Sequence, residues 1–177
     1  MPRKKIREKT EELLEFCGLI DFRRRTVRKL SGGMKRKLMV CRALLTEPEI
    51  LLLDEPTAGM DALSRRQMWN LLRQLNDHNL TILLTTHYME EAESLCQRVA
   101  FMDRGRLEEV SEPKKMVEQL GHFAVDEMTS DGLKSHYFKN REDAIAHLSR
   151  LTGQTALRNT TLEDVFVARA ERKERQR

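Results

Sequence analysis

Two strongly apolar runs, at 50–53 and 80–85, constrain this chain more than any other feature because of what lies between them. Ile50, Leu51, Leu52 and Leu53 lead directly into two acids, Asp54 and Glu55. A strand this apolar is expected to be parallel and buried on both faces. The second run ends just before His87. Between the runs, Leu63, Met68, Leu71, Leu72 and Leu75 recur at helical spacing and predict a helix over 62–75. Strand, helix and strand at this length make a crossover joining parallel strands. Ligands of such sheets sit at the C-terminal strand edge, where Asp54 and Glu55 are delivered.

The rest of the chain follows the same punctuation. Ile6, Leu13, Leu14 and Cys17 predict a helix over 5–17 that stops near Gly18. A polar, basic turn covers 21–29. Ser31 then stands as an N-cap before Gly32, Gly33 and a helical run at 34–45, closed by 46–49 with Pro48. Beyond His87 the pattern predicts a helix at 89–95, a strand at 98–102 and an antiparallel strand at 107–110. From Pro113 the texture changes: helix to Leu120, strands near 122–127 and 133–138, helix 141–150, a strand near 154–158 and a last helix from Leu162. The charged end, 171–177, is expected to fray. Three segments result, 1–46, 47–111 and 112–177, the last a small α/β extension.

Charge and cysteines narrow the class. The first 42 residues carry 14 Lys/Arg against 5 Asp/Glu, while 43–168 carry 13 against 21. The basic residues lie on segments that also carry apolar stripes, as solvated helix faces do, so no nucleic-acid partner is expected. Cys17, Cys41 and Cys96 form no CxxC pair and no zinc spacing, which fits a reducing compartment. No apolar run approaches the about 20 residues that span a bilayer, and the charged start lacks the apolar core of a signal peptide. Any membrane process this protein serves needs another chain to cross the membrane.

The candidate chemistry is phosphoryl transfer. A carboxylate at a parallel strand end can hold Mg²⁺, and a neighbouring base can orient the attacking water. Asp54 is the metal candidate and Glu55 the general base. Ser31, Gly32 and Gly33 at a helix start offer backbone N–H groups and partial positive charge to a phosphate. Asp61 suits the N-cap of the 62–75 helix. A neutral imidazole at His87 could bond a terminal phosphate or the attacking water. His78, His122, His136 and His147 have no comparable context.

These segments resemble the ATP-binding cassette (ABC) ATPases. Leu30 to Met34 read LSGGM, similar to the family signature; Ile50 to Glu55 resemble its Walker B strand, and PTAGMD at 56–61 its D-loop; LLTTH at 83–87 resembles its switch-histidine segment. Met34 replaces the commonest Gln, a change associated with the exporter branch. More weakly, NTTLEDVFVA at 159–168 resembles the extension of ABC-2-type export ATPases of the drug-resistance kind.

The resemblance implies an α/β fold: a partial P-loop NTPase core with a mainly parallel sheet, a helical-subdomain remnant and the C-terminal extension. It implies ATP and Mg²⁺ as cofactors, with Asp54 at the metal and Glu55 and His87 catalytic. Ser31, Gly32, Gly33 and Asp61 would serve nucleotide bound with a second ATPase subunit. It also implies a membrane permease partner and a cytoplasmic location on the inner face of the cell membrane. The family's phosphate loop, G-x-x-x-x-G-K-[ST], occurs nowhere in the 177 residues. The strand ending at His87 and the one around 99–102 should therefore either pair directly or leave a gap. Three functions remain open: the ATP-hydrolysing subunit of an exporter, a non-hydrolysing fragment that complements a separately encoded N-terminal half, or an ATPase of DNA repair or translation. The absence of a long heptad segment weighs against the third.

Overall fold

A computed structural model describes residues 3–174. The chain divides into two compact units, Met1–His87 and Tyr88–Arg177. The three sequence segments follow motif content, whereas these units follow packing.

In the first unit, α1 (Arg3–Phe16) leads through two short 3-10 turns to α2 (Gly32–Leu44), then β1 (Ile50–Asp54), α3 (Ala62–Asp77) and β2 (Thr81–Thr85). Gly18, at φ +67, turns the chain out of α1, a conformation that costs glycine little. Helix α1 packs on α2 and α2 on α3. Met68, Trp69, Leu71, Leu72 and Leu75 bury the apolar stripe of α3, as their 3.6-residue spacing requires. Strands β1 and β2 pair in parallel, with Leu51 opposite Ile82 and Leu53 opposite Leu84. Those four side chains are buried or half-buried.

The other face of the pair is open, which corrects the expectation of burial on both sides. Ile50 is 60% exposed, Leu52 70% and Leu83 64%. Side chains alternate across a strand, so each parallel pair sends one row inward and one outward. Among the described residues of this unit, nothing covers the outward row.

The second unit begins with α4 (Met89–Leu95) and a hairpin of β3 (Val99–Asp103) and β4 (Arg106–Ser111). Arg104 and Gly105 both have positive φ, +48 and +76, as a two-residue type I′ turn demands. Helix α5 (Pro113–Leu120) leads to β5 (Phe123–Thr129), β6 (Gly132–Phe138), α6 (Arg141–Leu148), β7 (Thr155–Asn159) and α7 (Leu162–Glu174). The last three strands form an antiparallel sheet in the order β6-β5-β7. One core cluster joins Ala92, Val99 and Phe101 to Met116, Leu162 and Val165, so α4, β3, α5 and α7 share an interior.

Strands β2 and β3 lie in separate sheets, β1-β2 and β3-β4. Of the two outcomes expected for them, direct pairing does not occur. The expected fraying over 171–177 needs correction: α7 continues to Glu174, and Lys173 is held by the carboxylates of Asp103, at 2.9 Å, and Glu108. Residues 175–177 lie outside the described residues.

Sequence also explains how α7 starts. Asp164 Oδ2 accepts the Thr161 N–H at 2.8 Å and the Thr161 hydroxyl at 3.0 Å. This is the carboxylate half of a capping box, within the 159–168 motif. The same carboxylate, with Asp126, grips the Arg158 guanidinium. These bonds keep Arg158 protonated well above its ordinary range. Burial and the Asp164 charge push the Tyr137 phenol up to about 12.

Candidate functional site

The predicted site residues gather into two groups within the first unit. The first lies at the C-terminal edge of β1 and β2. Asp54 stands opposite Thr85 in the register, and the Thr85 hydroxyl donates to Asp54 Oδ1. Both belong to the open row that carries Ile50, Leu52 and Leu83. One residue on, the Glu55 N–H donates to the Thr85 carbonyl at 3.0 Å, extending the ladder past the end of β1.

Glu55 then leaves the strand in the left-handed region, at φ 47. A side chain with a Cβ pays roughly 1–2 kcal/mol there, and such strain persists only where surrounding structure enforces it. The bond to Thr85 supplies one such restraint. Two turn bonds add others, from Ala58 N–H to the Glu55 carbonyl at 3.2 Å and from Met60 N–H to the Thr57 carbonyl at 3.1 Å. Thr57 itself is buried. The outcome is a carboxylate turned to His87, whose Nδ1 lies 2.8 Å from Glu55 Oε2. That oxygen is shielded from solvent and makes no hydrogen bond among the described residues, while the imidazole is 63% exposed.

A carboxylate held against an imidazole can orient a water and take its proton. Asp54 offers a hard oxygen of the kind Mg²⁺ prefers. Among the described residues no group of three or more His, Cys, Asp or Glu side chains could hold a metal ion. Asp54 therefore fits Mg²⁺ only as one ligand of an ion completed by phosphate and water, the usual arrangement for this ion.

The second group lies where α2 meets α3. Ser31 caps α2, its hydroxyl oxygen accepting the Met34 N–H at 3.2 Å. An α-helix leaves its first amides without intrahelical partners, and here these belong to Gly32 and Gly33. Asp61 caps α3 in the same way, accepting the Ser64 N–H at 2.9 Å and the Ser64 hydroxyl at 2.6 Å. These two bonds hold the Asp61 carboxyl below the usual carboxylate range. A Cβ placed on Gly33 would meet Ser64 Oγ at 3.0 Å and Ser64 Cβ at 3.1 Å, so the two capped turns approach closely. Lys37 Nζ donates to Gln67 Oε1 at 2.9 Å and ties the same helices one turn further on. Space around Gly32 is open.

Thr85 and Ser64 are participants that sequence reasoning missed. Thr85 could have been suspected as the last polar residue of an apolar run, but its pairing with Asp54 depends on the parallel register. Ser64 carries only a weak signal, three residues beyond an N-cap aspartate.

Residues 3–58 match the family model described as ABC transporter. The chain belongs to the ABC transporter ATP-binding family. It is 39% identical over 176 aligned positions to the Nod factor export ATP-binding protein I of Burkholderia pseudomallei (strain K96243), covering 88% of this chain and 58% of that protein. It is 46% identical over 104 residues to the daunorubicin resistance ATP-binding protein DrrA3 of Streptomyces coeruleorubidus, covering 59% of this chain and 33% of that one. The chain thus spans only part of the length of these ABC relatives. The fold is that of an ABC cassette core in part: the crystal structure of the ADP conformation of MJ1267, an ATP-binding cassette of an ABC transporter, superposes with a TM-score of 0.62 at 23% identity, over 68% of this chain and 47% of that one. Asp61 and His87 lie beyond residues 3–58, the part that matches the family model.

Proposed function

We propose that this chain carries the catalytic acids, the switch histidine and the signature turn of an ATP-hydrolysing subunit of an ABC exporter. The observation that carries this reading is the Glu55–His87 contact at 2.8 Å, one residue past Asp54, the candidate Mg²⁺ ligand. Glu55 polarises the attacking water, His87 bonds the terminal phosphate, and Asp54 holds the metal. Ser31, Gly32 and Gly33 close over nucleotide held by a second ATPase subunit, with Asp61 shaping the junction. A membrane permease supplies the path, and the protein works at the cytoplasmic face of the membrane. Relatives named for Nod factor export and daunorubicin resistance support export as the direction.

A second reading is favoured by one specific observation. The open apolar row of Ile50, Leu52 and Leu83 is the kind of surface a completing segment would cover, and the 177 residues contain no phosphate-cradling loop. On this reading the chain works against a phosphate loop supplied from outside these residues, such as a separately encoded N-terminal half.

Phosphate release from Mg-ATP, measured with the purified chain and its Glu55→Gln variant, separates the two. Turnover that Glu55→Gln reduces by about a hundredfold or more, the usual scale for loss of a general base, supports the first reading. No turnover and no ATP binding by the chain alone supports the second. Turnover unchanged by both Glu55→Gln and His87→Ala would sink the assignment of these two residues.

A further inference from the structure

The three cysteines have no role in the chemistry above, and two of them meet. Cys17 lies one residue beyond α1 and Cys41 lies inside α2, with only 3% and 4% of their surfaces exposed. Both converge on one acceptor: the Leu13 carbonyl takes the Cys17 N–H at 2.9 Å and the Cys41 thiol at 3.0 Å. Their side chains are neighbours in the interior, each acting on the other's proton affinity. The interaction with Cys41, together with burial, raises the proton affinity of Cys17, whereas the interaction with Cys17 lowers that of Cys41 against the opposing effect of its burial.

Cys41 lines a largely apolar cavity of about 490 Å³ together with Leu13, Leu14, Leu38 and Met39, with Lys35 and Arg42 also in the lining. This volume admits molecules well beyond the size of water. A small neutral oxidant such as hydrogen peroxide fits this volume.

We propose that Cys17 and Cys41 form a peroxide-responsive dithiol that closes to an intramolecular disulfide, tying the end of α1 to the middle of α2. The attacking sulfur is Cys41, the one made more acidic by its neighbour. It attacks one peroxide oxygen, the O–O bond breaks, and the departing hydroxide takes up a proton to leave as water, giving a sulfenic acid. The Cys17 sulfur then attacks the Cys41 sulfur, the S–O bond breaks, and the Cys17 proton leaves with the hydroxyl as a second water. Two thiols are oxidised by two electrons and one hydrogen peroxide is reduced to two waters. Because Ser31, Gly32 and Gly33 begin α2, the bond would restrain the helix that presents them.

Cys96 provides an internal comparison. It is more exposed than either partner, and burial and the Glu91 charge raise its proton affinity. The test treats the folded full-length chain with hydrogen peroxide, quenches in acid, alkylates, and maps tryptic peptides by mass. The expected result is a cross-link between the peptides 10–23 and 38–42 with loss of two hydrogen masses. It should be reversed by dithiothreitol, with Cys96 still alkylated and the oxidised chain melting higher than the reduced one. Cys17→Ser should replace the cross-link by a Cys41 sulfenic acid that dimedone traps. Oxidation of Cys96 before Cys41, sulfinic acid at Cys41 without a cross-link, or full alkylation of Cys17 and Cys41 after treatment would each overturn the proposal. The wild-type map decides the matter even where a variant fails to fold.

Discussion

Two regions handle polar and apolar surface in opposite ways: the Arg158 cluster of the second unit and the β1–β2 edge of the first. In the cluster, charge is matched: Arg158 lies between Asp126 and Asp164, Asp164 also caps α7, and Met116 and Leu162 close a shared core in the same unit. In the first unit, an apolar row stands open to solvent and the carboxylates of Asp54 and Glu55 stand at its edge. Matched polar groups make structure, whereas groups held in strained or open positions remain available for chemistry. The contrast sets a structural cluster in one unit against candidate reactive groups in the other.

The strongest way to break that comparison is through the cores. Met116 is 1% exposed, and Met116→Ala should destabilise the second unit by roughly 2–5 kcal/mol. The matching change in the open row, Leu52→Thr, should stay within about 0.5 kcal/mol and should reduce self-association. Urea unfolding followed by circular dichroism reads both, and a large loss from Leu52→Thr would show that the row is packed in solution.

Next in size is the polar network. Asp164→Ala leaves Arg158 with one carboxylate and the Thr161 amide without its cap, and should cost about 3 kcal/mol. Asp164→Asn should cost less because it keeps an acceptor for Thr161. Equal losses from the two would show that charge, not capping, carries the contribution.

Smaller still are the caps in the first unit. Ser31→Ala removes the acceptor for Met34 N–H and should cost about 1 kcal/mol. Asp61→Asn keeps a cap but removes a charge, so it should leave thermal stability nearly unchanged while lowering any ATP turnover measured with a partner subunit. A stability loss without a turnover loss would assign Asp61 to capping alone.

The smallest effect concerns pH. The imidazole of His136 lies 4.6 Å from that of His147, centroid to centroid. Burial, then the His147 and Lys134 charges, hold His136 below its ordinary 6.5. The unfolded chain therefore binds the proton more readily than the folded one. Stability should fall as pH drops through the unfolded value and level off below the folded one. Denaturation at a series of pH values, with His136→Gln as reference, checks the sign; a variant with the same acid slope as wild type would place the effect elsewhere.

Much of this was legible in advance. Local periodicity and caps specified α2, α3, β1, β2 and the α4 to β4 run to within a few residues, because those signals are carried by neighbours in the chain. The 171–174 segment was not legible, since Lys173 is held by Asp103 and Glu108, some seventy positions away. The Cys17–Cys41 pair was equally hidden, because spacing of thiols says nothing when two helices bring them together.

The amino-acid sequence alone determined the order of elements, the LSGGM, LLLDEP and LLTTH segments and thereby the family, because these depend on residue type at short range. Tertiary structure alone decided three things: that one face of β1 and β2 stands open, that Thr85 meets Asp54, and that Glu55 turns to His87. Each depends on strand register and on which layer covers which face. Those are long-range choices, made by packing and not by any local pattern.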